Sequence, residues 1–412
     1  MPFSRSSRYA AAAGALVAAL LLSSMAHGRD FAEIRRGRYL ADAGDCRACH
    51  TAEGGKPFAG GRPLETPFGT IYSANITPDR QTGIGAWSEA DFATAMTKGI
   101  APDGSRLYPA FPYPYFRHVA SQDLRAIRAY LETVDPVHQS DHPNDLIWPL
   151  GHRSLLRGWN LLFLDKPGFR TRTDKSADWN RGAYLVEGLG HCGACHTPKN
   201  MFGADKDSAA LQGGLLQNWF APNLTGSMRD GLGQWTENDI AEYLKTGSNR
   251  HGSAVGPMAE VVNFTTSRLS DADLKAIAVY LKDMPGPEAG SVAKPADAVM
   301  QAGAGIFSDQ CQACHNEGGA GVAQLFAPLK GNAGVQAKDP TTALRIILDG
   351  AKAVATDAKP TGQAMPSFDW KLTDGQVAAV ATYIRNAWGN AAPAVAAGDV
   401  KKLRNATRAS AE

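Results

Sequence analysis

The chain has 412 residues, enough for several domains, and its 42 basic and 40 acidic side chains leave a net charge of only +2. Its lysines and arginines are scattered, with no basic run interleaved with aromatic residues, which argues against a nucleic-acid partner. The sequence also lacks a glycine-rich nucleotide motif, a Gly-x-Ser-x-Gly nucleophile turn and a catalytic carboxylate pair, so we expect substrate chemistry to take place on another protein.

The chain begins with the pattern of an export signal. Arg5 and Arg8 form a positive start, Ala11–Leu22 is an apolar run, and small residues follow around Ala26 and Gly28. The first 28 residues are therefore predicted to be a cleaved signal peptide. A retained membrane anchor is the alternative, although the apolar run is short for a bilayer span.

Three copies of the motif Cys-x-x-Cys-His account for all six cysteines. They are Cys46, Cys49 and His50; Cys192, Cys195 and His196; and Cys311, Cys314 and His315. Two thiols one helical turn apart form thioethers with the two vinyl groups of a haem, and the histidine that follows is placed to bind its iron. The motifs therefore predict three covalently attached haem c groups.

Two other interpretations of a Cys-x-x-Cys pair fit the sequence less well. A structural zinc site takes four ligands, usually from two such pairs, whereas these pairs lie far apart and each is followed by histidine. A thioredoxin-like redox pair is expected once, beside a strand–helix–strand pattern, and does not account for three histidines.

The sequence repeats around each motif, as in a true internal repeat. Before each motif lies a predicted helix with a glycine and an aromatic residue: Gly37 and Tyr39, Gly182 and Tyr184, Gly303 and Phe307. After each motif lies a closing helix with a predicted N-cap and, at helical spacing, a tyrosine: Ser121 and Tyr130, Ser270 and Tyr280, Thr373 and Tyr383.

Each repeat resembles a class I cytochrome c domain, in which the first and last helices cross at a small residue against an aromatic one. The resemblance implies a mainly α fold of three tandem domains, each with a core completed by its buried haem. We place a signal peptide at 1–28, domains at 31–137, 176–286 and 296–390, a linker with an aromatic segment at 138–175, and a flexible tail at 391–412.

The linker and the tail each carry a feature of their own. The apolar segment Leu146–Leu164, with Trp148 among its aromatic residues, either packs across the first two domains or forms a docking surface for a partner subunit. The alanine-rich tail has a small basic cluster of Lys401, Lys402 and Arg404, which suggests peripheral contact with anionic lipid.

Two domains offer a methionine as the second axial ligand. Met258 and Met365 each lie beside proline in a loop of small residues between the middle and closing helices, where the backbone can approach a haem face. A thioether opposite imidazole raises the reduction potential of the iron. By the same resemblance, a carbonyl near Pro328 is expected to accept a hydrogen bond from the iron-binding histidine of the third domain.

The first domain breaks this pattern because Phe111 stands where Met258 and Met365 stand in the others. Three alternatives remain for its sixth ligand: Met96, His118, or a five-coordinate iron. When Gly99 is aligned with its counterparts in the other domains, Met96 falls at a core position of the middle helix, which weighs against ligation.

The order of these parts, together with the Tyr-Pro-Ala-Phe-Pro-Tyr stretch after Leu107, resembles the three-haem cytochrome subunits of membrane-associated periplasmic dehydrogenases. That family serves quinoprotein, flavoprotein and molybdenum enzymes. The resemblance implies a non-catalytic electron-transfer subunit that passes electrons from a dehydrogenase catalytic subunit to ubiquinone or a terminal oxidase. Export and haem attachment to reduced thiols indicate the periplasm, on the face of the inner membrane.

Two further functions remain open at this point. An open iron in the first domain would suit a haem enzyme in its own right, such as a peroxidase or a thiosulfate-oxidising cytochrome. A free periplasmic electron shuttle would need no dedicated partner.

Overall fold

A computed structural model describes residues 30–164, 168–288, 290–323 and 325–409, and the predicted signal peptide lies outside these ranges. The described chain is mainly helical, and its strands are two to five residues long. The predicted fold class is therefore confirmed.

The first domain contains five helices and part of a small antiparallel sheet. The helices are α1 (Phe31–Ala43), α2 (Cys46–Cys49), α3 (Glu89–Lys98), α4 (Tyr113–Phe116) and α5 (Ser121–Leu131). Strand β1 (Pro63–Thr66) pairs with β2 (Gly69–Tyr72), and β2 pairs with β3 (Asp145–Leu146) from the linker. The linker also forms helix α6 (Leu156–Phe163).

The second domain repeats this order. Its helices are α7 (Ala177–Tyr184), α8 (Gly193–His196), α9 (Glu237–Thr246), α10 (Pro257–Phe264) and α11 (Asp271–Lys282). Its strands form two antiparallel pairs, β4 (Gln212–Leu216) with β5 (Trp219–Asn223) and β6 (Ser248–Asn249) with β7 (Gly252–Ser253).

The third domain is built on the same plan. Its helices are α12 (Asp297–Gln310), α13 (Gln312–His315), α14 (Thr341–Asp349), α15 (Asp374–Ile384) and α16 (Ala397–Ala409). Strand β8 (Ala351–Lys352) pairs with β9 (Ala364–Met365).

The opening and closing helices cross at a glycine in all three domains, as predicted. A Cβ atom on Gly37 would lie 1.8 Å from a carbonyl oxygen of the closing helix, and the corresponding distances at Gly182 and Gly303 are 2.0 and 2.3 Å. At each crossing, the Cβ of the closing-helix tyrosine, Tyr130, Tyr280 or Tyr383, is also among the three atoms nearest to such a Cβ. Because a side chain would collide with backbone, only glycine permits these crossings.

The ends of the repeated helices follow the sequence signals with one exception. The middle helices α3, α9 and α14 end at Gly99, Gly247 and Gly350, all with positive φ, which supports the predicted alignment of these glycines. Ser270 and Thr373 are the N-caps of α11 and α15, as predicted.

The exception is the start of α5. Ser121 is its first helical residue rather than its N-cap, and the cap position belongs to Ala120. The backbone N–H of Ala120 donates to the Tyr184 hydroxyl at 3.0 Å, and this hydroxyl donates to Asp123 at 2.7 Å. A tyrosine of the second domain thus makes hydrogen bonds to the first turn of α5, where a local serine was expected to do so.

The prediction of a flexible tail is wrong for the residues described as far as 409. Helix α16 packs on α15 and α14 and buries Val400 and Leu403 in the core of the third domain. The Arg404 guanidinium donates to Asp374 at 2.7 Å and to Leu372 O at 2.8 Å. Arg404 therefore holds the helix to its domain, and only Lys401 and Lys402 of the basic cluster remain exposed.

The linker packs across the first two domains, which was one of the two predicted alternatives. Asn160 of α6 accepts a hydrogen bond from the Tyr113 hydroxyl in the first domain at 2.6 Å. The Trp159 indole N–H donates to Phe202 O in the second domain at 2.9 Å. Among the described helices, none is both long and apolar enough to span a bilayer.

Candidate haem sites

The three Cys-x-x-Cys-His motifs have the same local geometry. Each pair of thiols lies on a single helical turn, and the backbone N–H of the following histidine donates to the carbonyl of the first cysteine at 2.9 to 3.0 Å. The six cysteines form no disulfides. Because residues three apart share a helix face, both thiols of each motif can meet one planar ligand. We call the three motifs the first, second and third haem sites.

The histidine of each site is held in the tautomer that iron binding requires. Nδ1 lies 2.7 Å from Ala74 O in His50, 2.7 Å from Pro222 O in His196, and 3.0 Å from Ala327 O in His315. A carbonyl can only accept, so Nδ1 carries the proton and Nε2 keeps its lone pair for a metal. Burial also lowers the pKa of all three imidazoles, which favours the neutral form.

These features fit a covalently attached haem. The donor set is two thiols and one oriented imidazole, and the carbonyl next to Pro328 is the one predicted for His315. Over the described ranges, no three His, Cys, Asp or Glu side chains come together as a metal-binding group.

The first domain covers the second haem site. The Tyr115 hydroxyl donates to Asp205, which also pairs with Lys199, and Lys199 donates to Gly193 O inside the motif at 3.2 Å. A Cβ on Gly193 would lie 2.7 Å from the Tyr115 hydroxyl oxygen. The first domain is therefore in direct contact with the backbone of the second site.

The second domain covers the first haem site in return. Helix α10 packs on α2, and the Thr265 hydroxyl donates to Asp45, the residue before Cys46, at 2.8 Å. Glu260 accepts from Arg62 at 2.6 Å, and Arg62 donates to Ala48 O within the motif at 2.8 Å. The first two domains thus each contact the attachment motif of the other.

Before haem attachment, the thiols of these two sites lie in surroundings that disfavour the charged thiolate. Burial raises the pKa of the Cys49 thiol, and Asp45 and Cys195 raise it further. Burial also raises the pKa of Cys46 and of Cys192 to about 12. The first and second sites therefore lie at the contact between the first two domains, and we call these two sites the enclosed pair.

The third site is more open. Cys314 is exposed, whereas Cys311 and the four cysteines of the first two sites are partly exposed. The Cys311 thiol is nevertheless less deeply buried than those four thiols. The third domain attaches to the second through α14, where the Thr342 hydroxyl accepts from Phe220 N at 2.8 Å and the Arg345 guanidinium lies 4.5 Å from the centre of the Trp219 ring. This contact leaves the Cys314 edge of the third site accessible.

The candidate methionine ligands both lie between the middle and closing helices of their domains, but in a helix and a strand rather than in the predicted loops. Met258 follows Pro257 at the start of α10, and Met365 lies in β9, held opposite Ala351 of β8. Both side chains are partly buried. Their ligation of iron remains a prediction.

In the first domain, Phe111 packs against other aromatic residues, with its ring centre 5.5 Å from that of Phe116. Met96 is buried, with only 6% of its surface exposed, in the shared core of the first two domains. His118 lies at the contact with the second domain, where its Cβ is 3.6 Å from the position of a Cβ on Gly188. All three alternatives for the sixth ligand remain predictions.

Sequence reasoning missed the residues that join the domains. Tyr115, Asp205, Asp45 and Thr265 carry no local motif, and their partners lie 90 to 220 residues away in the sequence. The one sequence signal was proximity to a motif. Asp45 directly precedes the first motif, and Gly193, which Tyr115 approaches, lies inside the second.

Three such sites in domains built on crossed helices define a multi-haem electron-transfer protein. The cytochrome c family model matches residues 34–135, 180–285 and 300–388, so the chain belongs to the cytochrome c family and carries three covalent haem c groups.

Its relatives are cytochrome subunits of dehydrogenases. The gluconate 2-dehydrogenase cytochrome c subunit of Pantoea cypripedii is 42% identical, over 90% of this chain and 89% of that protein. The cytochrome c subunit of the quinone alcohol dehydrogenase of Gluconobacter oxydans is 41% identical, over 96% of this chain and 87% of that protein. The fructose dehydrogenase cytochrome subunit of Gluconobacter japonicus is 36% identical, over 90% of this chain and 82% of that protein.

Proposed function

We propose that this chain is the cytochrome subunit of a periplasmic dehydrogenase complex and delivers electrons to a membrane quinone. A terminal oxidase is the alternative acceptor. The relatives support a dehydrogenase partner, and the predicted signal peptide supports export to the periplasmic face of the inner membrane. The catalytic subunit is of quinoprotein, flavoprotein or molybdenum type.

The exposure of Cys314, where the other five cysteines are only partly exposed, supports the third site as the point of electron entry. Each haem c, when bound, supplies one-electron redox chemistry at its iron. Electron tunnelling falls steeply with distance, so an external donor is best served by the site with an exposed attachment edge. The third site is therefore the one that faces the dehydrogenase, and the enclosed pair faces the acceptor.

The chain's own residues hold the sites ready for this role. The three carbonyls of Ala74, Pro222 and Ala327 fix the imidazoles, and the sulfurs of Met258 and Met365 complete two of the iron sites. The Tyr115–Asp205 and Thr265–Asp45 hydrogen bonds keep the enclosed pair at a fixed separation. No large movement is needed, because this arrangement is preformed.

Affinity purification tests the partnership. A tagged chain, purified from its native host with mild detergent, is expected to bring down a dehydrogenase subunit with flavin, quinone or molybdenum cofactor. Adding that enzyme's substrate should then reduce the haem absorbance bands of the complex. A chain that purifies alone, and whose deletion leaves every membrane dehydrogenase activity intact, would refute the proposal.

A second function is favoured by Phe111, which supplies no ligand where the other domains have methionine. If the iron of the first site is open, the isolated holoprotein would turn over peroxide or oxidise thiosulfate. Steady-state peroxidase and thiosulfate assays test this directly, and a low-spin His/Met spectrum for all three haems would exclude it.

A further inference from the structure

Large apolar side chains are exposed together beside the contact between the first two domains. They are Trp148, Leu155, Leu161, Leu162, Met201 and Phe202, and we call them the apolar surface. Exposed apolar groups in one patch mark a surface that something covers, whereas scattered single ones do not.

Contacts between three chain segments make this surface continuous. The backbone N–H of Ile147, next to Trp148, donates to Phe68 O at 3.0 Å. A Cβ on Gly203 would lie 3.1 Å from the Phe68 ring. The Phe202 ring centre lies 6.0 Å from that of Phe163 in α6. The linker strand region, α6 and the 201–203 loop therefore adjoin.

Helix α6 carries apolar residues on its outer side as well as on its inner side. Its inward side holds Leu156 and the amide of Asn160, which is buried against Tyr113. Its outward side presents Leu161 and Leu162, which are 78% and 71% exposed. A surface helix in water normally places its leucines inward, so this helix is built for an apolar environment on its outer face.

Cations accompany the apolar surface. Residues 146–164 contain Arg153 and Arg157 but no aspartate or glutamate, and both arginines are exposed. The Arg153 guanidinium donates to Arg106 O at 2.7 Å and lies 5.2 Å from the centre of the Tyr108 ring, so Arg157 is the better placed of the two to bind an anionic group. Leucine, tryptophan and arginine in this combination suit an interface with anionic lipid.

The arrangement disfavours two other occupants. A second copy bound through a two-fold axis would bring like-charged arginines together around the contact. A dehydrogenase subunit is better served by the exposed Cys314 edge of the third site, in a different domain from this surface.

We propose that the apolar surface binds a bilayer that contains anionic phospholipid. Leu161 and Leu162 enter the boundary of the acyl chains, Trp148 lies at the headgroup level, and Arg157 meets the phosphates. The proposal rests on the proposed function in that it takes the chain to work at the membrane face. It places the enclosed pair of haem sites towards the membrane.

Vesicle sedimentation of the intact holoprotein tests this. Wild-type protein is expected to sediment with phosphatidylglycerol–phosphatidylcholine vesicles and to bind pure phosphatidylcholine vesicles more weakly. The double change Leu161→Ser and Leu162→Ser should weaken binding about a hundredfold, from the loss of two buried leucines. Arg157→Gln should weaken it about fivefold. Both leucines are exposed, so the fold should survive, and the haem spectrum checks this.

A matched control lies in the third domain. Trp370 is 80% exposed, close to the 86% of Trp148, and stands beside α16 with its exposed Lys401 and Lys402. Trp148→Ser should weaken vesicle binding, whereas Trp370→Ser and the change of Lys401 and Lys402 to glutamine should leave it unchanged. The reverse pattern would assign the membrane contact to α16 and overturn the proposal.

Other outcomes are equally decisive. Equal binding to neutral vesicles would overturn the assignment to anionic lipid. Loss of dehydrogenase co-purification in the leucine double variant, with vesicle binding intact, would make the surface a protein interface. Substrate-driven haem reduction in solution should be unaffected by these variants, so a failure of vesicle binding is separable from a failure of the proposed function.

Discussion

Two glycines of one helix provide a sharp test of the domain architecture. Gly303 and Gly305 both lie within α12, but a Cβ on Gly303 would be 2.3 Å from Ala379 O and 2.6 Å from the Tyr383 Cβ, whereas nothing lies within 4 Å of one on Gly305. In Gly303→Ala the two helices must separate by roughly 1 Å to restore ordinary contact. Gly305→Ala adds a methyl group in open space.

The expected effects have opposite signs. Overpacking against rigid backbone costs about 3 kcal/mol, and alanine gains about 1 kcal/mol over glycine in a helix, so Gly303→Ala should lose about 2 kcal/mol of unfolding free energy. Gly305→Ala should gain about 1 kcal/mol, since only the helix preference changes.

Urea unfolding of the holoprotein, followed by circular dichroism and by haem absorbance, measures both changes. The third domain has a core of its own, apart from the one that the first two domains share, so the comparison rests on the transition that shifts in the two variants. If Gly303→Ala proved as stable as wild type, or if both variants shifted in the same direction, the argument that bare backbone contact requires this glycine would be refuted.

Three further predictions concern single side chains. Burial raises the pKa of Asp45 to about 7, so the folded state favours its protonated form, and stability present at low pH is lost as pH rises towards 7. The unfolding free energy of Asp45→Asn, measured with urea, should therefore rise relative to that of wild type as pH rises from 4 to 8. A difference between the two proteins that does not change with pH would contradict this. Arg385 is fully buried and donates to Val335 O and Ala337 O at 2.9 Å. Because Arg385→Met leaves these carbonyls unpaired, it should lower the unfolding free energy by about 2 to 4 kcal/mol in the same assay. An unchanged unfolding free energy would contradict this. Phe111→Met should give the first site a His/Met low-spin spectrum and a higher reduction potential in a redox titration, whereas an unchanged spectrum would show that the loop does not reach the iron.

Features within one domain could be predicted from the sequence because they repeat. Gly37, Gly182 and Gly303 stand at similar places before their motifs, and the structure places all three at helix crossings. The Cys-x-x-Cys-His spacing indicated the chemistry of each site, and a carbonyl near Pro328 was predicted to accept from His315, where the structure has Ala327 O. Such signals are local, so a single chain reveals them.

Features between domains could not be predicted in this way. The Thr265–Asp45 bond joins residues 220 positions apart, and no pattern in either segment announces the other. The start of α5 was misjudged because a tyrosine of another domain satisfies Ala120. The tail was misjudged because its alanine-rich composition conceals Val400, Leu403 and Arg404, which dock α16 on the third domain.

In the proposed complex, the dehydrogenase delivers electrons at the third haem site. Stopped-flow reduction of the purified complex by its substrate, with variants Met365→Leu and Met258→Leu, tests it most directly. Loss of a thioether ligand lowers the reduction potential of its iron, so Met365→Leu should slow the reduction of all three haems. Met258→Leu should leave the first, fastest phase unchanged. If Met365→Leu reduced its haems as fast as wild type while Met258→Leu abolished the first phase, the third site would not be where electrons arrive.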